Sequence, residues 1–290
     1  MHFQGRVNVM VLNNTPPKTT EISPNFINTD DCPFSVNEPE ENSASDAPNT
    51  VRSVDLNDPT THTDIGLARR FAREAQKRLL FLQDQDIWMS WQLNRWVEDT
   101  SKIGPKKVAA HVSDLLWKEI SPAQQRHPSI TQFVKNSGNK RAINAMIDLA
   151  PAVDGMSAES SEFDTNPYLL NCRNGVVDLL NLELLPHDPD LKQAKLADVD
   201  YDWSANCPKW EKFISEVTCG DIELAGFLQR SFGISISGDV SCQAFWIHHG
   251  HGANGKSTAI EVISSLLGDY AGPIATEALL SNARGQQKER

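Results

Sequence analysis

Residues 250–257 read GHGANGKS and fit the pattern G-x-x-x-x-G-K-[ST], whose chemistry is the holding of a nucleotide's phosphates. Gly250, Gly252 and Gly255 carry no Cβ, so the backbone can turn its amides inward around an anion. Lys256 is spaced to reach the β- and γ-phosphates, the Ser257 hydroxyl to ligate Mg²⁺, and Thr258 to lie near the α-phosphate. His251, Ala253 and Asn254 fill the remaining positions of the nucleotide-binding stretch. The expected ligands are therefore ATP and Mg²⁺, with Lys256 and Ser257 as the candidate catalytic residues. His248, His249 and His251 flank the loop without a carboxylate or thiol at ligand spacing, so they read as neutral loop histidines and not as a metal site.

Such a loop has to lie between a strand and a helix. AFWI (244–247) reads as the strand, and STAIEVISSLLG (257–268) as the helix, with Ile260, Ile263 and Leu267 on its inner face. The start of that helix adds partial positive charge beside the phosphates. Hydrolysis asks for more: an acid at the end of a second core strand, to hold the Mg²⁺ shell and polarise water. After Gly268 the closest approach to that pattern is Ala278 to Leu280, followed by Ser281. One parallel strand cannot make a sheet, because its backbone groups and both faces need neighbours. The expectation is an incomplete motor, finished by a continuation of the chain or by another chain; whether ATP is hydrolysed by these residues alone stays open.

Upstream, residues 1–62 are rich in Pro, Asn, Thr, Ser and acids and are expected to be a disordered polar tail. Order is expected from Thr63, with TDIGLARRFAREAQKRLLFL as a helix carrying Leu67, Phe71 and Ala75. DIWMSW and NRWVED read as a hairpin, with Ile87, Met89 and Trp91 on one face and Trp88 on the other. Pro105 opens a helix striped by Val108, Val112, Leu115 and Leu116, and a second stripe runs through Ile143, Met146, Ile147 and Ala150. A small β meander is expected over 166–188, turning at Asn174-Gly175. Two more helices carry Trp210, Phe213, Ile214 and Val217, then Leu224, Phe227, Leu228 and Phe232.

Composition narrows the function classes. A 290-residue chain with 39% hydrophobic residues suits a soluble globular protein, and its net charge of −11 argues against coating a polyanion with the whole surface. No apolar run of about 20 residues or signal-peptide pattern is present, so no membrane partner and a cytoplasmic location are expected. The five cysteines are scattered and suggest neither a disulfide framework nor a zinc ribbon.

TDIGLARRF, IWMSWQLNRWVED, LLNCRNGVVDL with LLPHDPD, VDYDWSANCPKWEKFI, and FWIHHGHGANGKST through LLGDYAG form an ordered series. Together they resemble the phage, plasmid and poxvirus-type primase-helicase family, whose motors belong to helicase superfamily III. The resemblance implies an α/β fold: an α+β collar over 63–222, then the first strand, phosphate loop and helix of an AAA+-like ATPase over 223–290. It also implies a DNA replication protein, derived from a phage, prophage or plasmid and placed in the bacterial or phage-infected host cytosol, that works as a homo-hexameric ring on DNA, with a primase or a C-terminal helicase chain as partner. Asn254 before Gly255 fits that family's NGKS form of the loop. The alternative is a non-catalytic assembly module whose phosphate loop is vestigial.

Two sets of collar residues are candidates for DNA contact. Lys102, Lys106 and Lys107 open one helix, and Lys135, Lys140 and Arg141 lie around the start of another, where basic charge opposes the dipole unless phosphate offsets it. Trp88, Trp91 and Trp96 with Arg95 could stack single-stranded bases, but packing of a small hairpin onto helices is the favoured account, since tryptophan is a normal core residue of small β elements.

Overall fold

A computed structural model describes residues 54–274 apart from 251 and 253, so most of the expected tail, residues 1–53, lies outside the described residues. Packing starts ahead of Thr63: Val54 and Leu56 are buried in the helical core, where they cover α1 and its neighbours. Helix α1 (Asp64–Ala75) is capped by Thr63, whose hydroxyl accepts from Gly66 N at 3.1 Å.

The expected continuation of α1 through LLFL does not occur. Gln76 turns extended, Lys77 takes a positive φ of 59°, and Leu79–Leu82 becomes strand β1. Leu79 and Phe81 face one core while Leu80 and Leu82 face another. A strand buried on both faces carries a continuous apolar run, which periodicity alone does not separate from a helix end.

Strands β2 (Ile87–Trp91) and β3 (Trp96–Glu98) form the hairpin, with Trp91 opposite Trp96. Trp88 points into the helical core, whereas Ile87, Met89 and Trp91 face the other way, as their alternation requires. Helices α2 (Gly104–Glu119), α3 (Pro128–Ser137) and α4 (Lys140–Leu149) follow, and α1 packs on both α2 and α4. Strand β4 (Ser157–Ala158) runs parallel to β1 and closes a sheet of order β3-β2-β1-β4. Phe71, Val112, Leu116 and Met146 are fully buried between the helices and this sheet.

The meander consists of β5 (Leu169–Cys172), β6 (Gly175–Asp178) and β7 (Glu183–Leu185). Its first turn is Arg173-Asn174, one residue earlier than expected, because Cys172 pairs with Gly175. Both residue types have other reasons to be there. Asn174 exchanges two hydrogen bonds of 2.9 Å with the Tyr201 backbone, and a Cβ on Gly175 would stand 2.6 Å from Leu185 O.

An extended strap, residues 192–199, ties the two sheets together. Trp96 N donates to Gln193 O at 2.8 Å, Asn171 Nδ2 to Lys195 O at 2.8 Å, and Ala197 N to Asn171 O at 2.8 Å. Beyond it lie α5 (Pro208–Val217), α6 (Ile222–Ile236) and α7 (Lys256–Leu267). Gly220, at φ 78°, ends the α5 segment by donating to Ser215 O, and Asp221 caps α6 by accepting from Leu224 N at 3.0 Å. The described residues are thus mixed α/β, with seven α-helices and two small sheets. Among them no helix is long and apolar enough to cross a membrane.

Candidate phosphate-loop site

The loop stands on α5 and opens into α7. Gly255 precedes the helix at φ 81°, and a Cβ there would lie 2.5 Å from Val217 Cγ1 and 3.0 Å from Phe213 Cε2. The glycine therefore serves both the left-handed backbone and the close seat on α5. Gly250 is crowded in another way, since its Cβ would meet Asn254 Nδ2 at 2.4 Å. Lys256 Nζ reaches back across the loop, donating to Gly250 O at 3.1 Å and Asn254 Oδ1 at 2.5 Å. No side chain caps the start of α7, and Ser257 and Thr258 lie beside it, both exposed. A cation folded over a glycine-turned loop, next to an uncapped helix start, is a donor set suited to phosphate oxygens. His251 and Ala253, also expected to line the loop, lie outside the described residues.

His248 runs beneath this loop. Its ring stacks on Phe232 of α6 at a centroid distance of 6.4 Å, and its Nε2 is buried without a hydrogen-bond partner. Burial first, and the Lys256 charge second, hold its pKa below the ordinary imidazole value, which keeps the ring neutral. His249 is exposed.

Two expectations about the flanks need correction. Residues 244–247 do not form a strand: only Ile247 makes an isolated bridge, and Phe245 and Ile247 are 65% and 51% exposed. No strand among the described residues runs alongside to pair this backbone, and Trp246 instead turns its edge to Phe227 of α6. The inner face of α7 is also rotated. Ala259 is buried with Leu228 and Phe232 and Ile263 packs against that cluster, whereas Ile260 is 43% exposed. Close seating of α7 on α5 and α6 selects the small Ala259 for the contact.

The collar places the other candidates apart from the loop. Lys102, Lys106, Lys107, Lys135, Lys140 and Arg141 are all exposed, and the first turns of α2 and α4 hold no acid. Ser137, just before α4, donates to Ser113 of α2 at 3.0 Å. Six to seven residues of helix separate Ser113 from Lys106 and Lys107, about 10 Å, so the two basic clusters start from neighbouring points. The tryptophans are packing residues. Trp88 and Trp96 are buried, Trp96 Nε1 donates to Pro189 O at 2.9 Å, and Trp91 lies edge-on to Trp96. Arg95 is committed to an ion pair with Asp269, so the stacking platform is not formed. Sequence reasoning missed Asn254 as the partner of Lys256, and it missed the contacts of Asp269 and Tyr270; the only local signal for the latter was Gly268 at a helix end.

The model of the family described as D5 N terminal like matches residues 68–219. That span runs from within α1 to just past α5 and stops ahead of the phosphate loop. No curated protein matches the chain.

Proposed function

The chain belongs to the D5 N terminal like family, and from that premise we propose that it is a DNA replication protein of the primase-helicase type whose loop at 250–258 binds ATP with Mg²⁺. The family model covers residues 68–219, and the proposal adds the collar role of that segment, the loop, the superfamily III class of motor and the coupling of hydrolysis to unwinding once the motor is complete. The observation that carries it is Lys256 lying across the glycine loop at the uncapped start of α7. Lys256 would hold the β- and γ-phosphates, amides at the helix start would hold the α- and β-phosphates, and Ser257 would offer a hydroxyl to Mg²⁺. ATP·Mg²⁺ supplies the transferable phosphoryl group when bound.

Calorimetric titration of the chain with ATP·Mg²⁺ tests this reading, with Lys256→Ala as the control. Removing one charge-assisted hydrogen bond should weaken binding at least about tenfold. Affinity that is unchanged in the variant removes the phosphate role from the loop. A folded chain with no affinity at all favours a collar that serves assembly alone.

DNA contact is part of the same proposal and is assigned to Lys102, Lys106, Lys107, Lys140 and Arg141. Binding of single-stranded DNA should weaken with salt, and replacing Lys106, Lys107, Lys140 and Arg141 by Ala should reduce the logarithmic slope by about 0.7 for each phosphate that is no longer neutralised. A flat response to salt, with or without these residues, removes the collar from DNA recognition. Assembly as a hexameric ring, with a primase or helicase chain as partner, would bring several copies of this weak site onto one strand.

A further inference from the structure

Three consecutive residues after α7 each make a separate contact with the collar. Gly268, at φ 51°, lies where a Cβ would stand 2.6 Å from Leu196 O and 3.0 Å from Asp198 N, so glycine permits the close approach. Asp269 N donates to Leu196 O at 3.0 Å, Leu196 N returns a bond to Asp269 Oδ2 at 3.2 Å, and the same carboxylate pairs with Arg95 before β3. The Tyr270 hydroxyl accepts from Asn171 N of β5 at 3.1 Å and donates to Gln193 Oε1 at 3.3 Å. Its ring packs with Cys172, Val177 and Ala197, and Lys195 Nζ lies 5.7 Å from the ring centroid. Burial raises the Tyr270 pKa, so the hydroxyl keeps its proton and remains a donor.

We propose that the Gly268–Tyr270 turn is a latch that couples the phosphate-loop helix to the collar. A plain linker after α7 would leave its polar groups to water and absorb any shift of the helix in loose backbone. Here the chain leaves the helix directly into a socket made by the strap and β5. The 12-residue helix α7 is a rigid rod of about 18 Å, with Lys256 at one end and the latch at the other. Movement of α7 along its axis displaces the Tyr270 hydroxyl from Asn171 and the Asp269 backbone from Leu196. Through the strap the displacement reaches β3, because Gln193 O is bonded to Trp96 N. The coupling holds whether or not nucleotide binds; its use in passing loop occupancy to the collar rests on the reading given above.

A double-mutant cycle read by amide hydrogen exchange on the full chain tests the latch. Ile263→Ala loosens α7 on α5 and α6 without touching the collar. In the otherwise native chain it should speed exchange at Asn171, Leu196 and Asp269 about tenfold. With Asp269→Ala and Tyr270→Phe in place, those amides should already exchange faster, and Ile263→Ala should add no more than about twofold. The latch is overturned if Ile263→Ala alters α7 and leaves Asn171 and Leu196 unchanged, or if the full tenfold effect survives in the latch-broken chain. Amides of α1 and α2 report global folding, and Tyr270→Phe alone, which keeps the ring in its pocket, replaces the double variant if they change. Adding ATP·Mg²⁺ separates the two ideas: absence of protection at 250–258 counts against nucleotide binding and leaves the coupling result standing.

Discussion

The helical layer of the collar and the α5–α7 unit are built from similar amphipathic helices, yet they are covered to different extents. Phe71, Ala75, Val112, Leu116 and Met146 in the first have no exposed surface. In the second, α5 buries no residue and α7 buries only Ala259. Ile260, Val262 and Leu266 on α7 remain 43%, 38% and 44% exposed. An apolar stripe states where a helix avoids water and leaves open what covers it. The collar helices have a four-stranded sheet on one side and one another on the other, whereas α7 has two helices, and its remaining tie to the fold is the polar turn at Gly268–Tyr270.

Core truncations break this comparison most directly. Phe71→Ala removes a ring packed edge-on to Trp88 at 5.9 Å and should cost about 3–5 kcal/mol, lowering protection throughout α1, α2 and α4. Phe232→Ala removes a ring that is 7% exposed, in a thinner core that can collapse around the gap, so the loss should be about 3 kcal/mol or less. That loss should appear in α5, α6 and α7, with only the part carried by the latch reaching β5. Denaturant-dependent hydrogen exchange distinguishes the two. Equal loss of protection in α1 and α2 from both variants would show one cooperative unit and end the distinction.

The same contrast decides what could be read from the sequence. Where a covering element lay nearby, period and caps sufficed: the hairpin at 87–98, α2, α4, the meander, α5, α6 and α7 all occupy their expected stretches. Misreadings occurred where distant chain made the choice. LLFL became a strand because two cores bury it from opposite sides, and Val54 and Leu56 are ordered by helices that follow them. The short α3 buries only Val134 and Ser137, too thin a stripe to register. AFWI has the composition of a strand, but its ladder partners are not among the described residues. At the loop, residue types and spacing singled out Lys256 and the glycines because such a motif is local in sequence, and the structure lays that lysine across the glycine-turned loop. The latch was illegible for the opposite reason: Arg95 and Asp269 meet across 174 residues and Asn171 and Tyr270 across 99.

The smallest effect expected is also the one that sharpens the comparison most finely, because it reports on the strap that joins the two sheets of the collar. Asp164, at φ 51° between β4 and β5, accepts from Ala194 N at 3.0 Å and Lys195 N at 3.3 Å, and so anchors the strap. Burial is the largest influence on it and raises its pKa above the ordinary 3.8; the nearby Asp269 charge adds to this, while the two backbone donors and Lys195 oppose it. Between that ordinary value, which holds in the unfolded chain, and the raised folded value, the native state binds more protons than the unfolded one. Stability therefore falls as pH rises through the window and levels off above it. Asp164→Asn keeps an acceptor oxygen for both amides and cannot titrate, so the slope contributed by this group should vanish. At pH 7 the variant should match or exceed the parent, within about 1 kcal/mol. Denaturant titrations across acidic to neutral pH, read at collar amides, measure both quantities. A variant that is weaker at pH 7 and keeps the parent's slope would place the titrating group elsewhere and make the charge of Asp164 necessary to hold the strap.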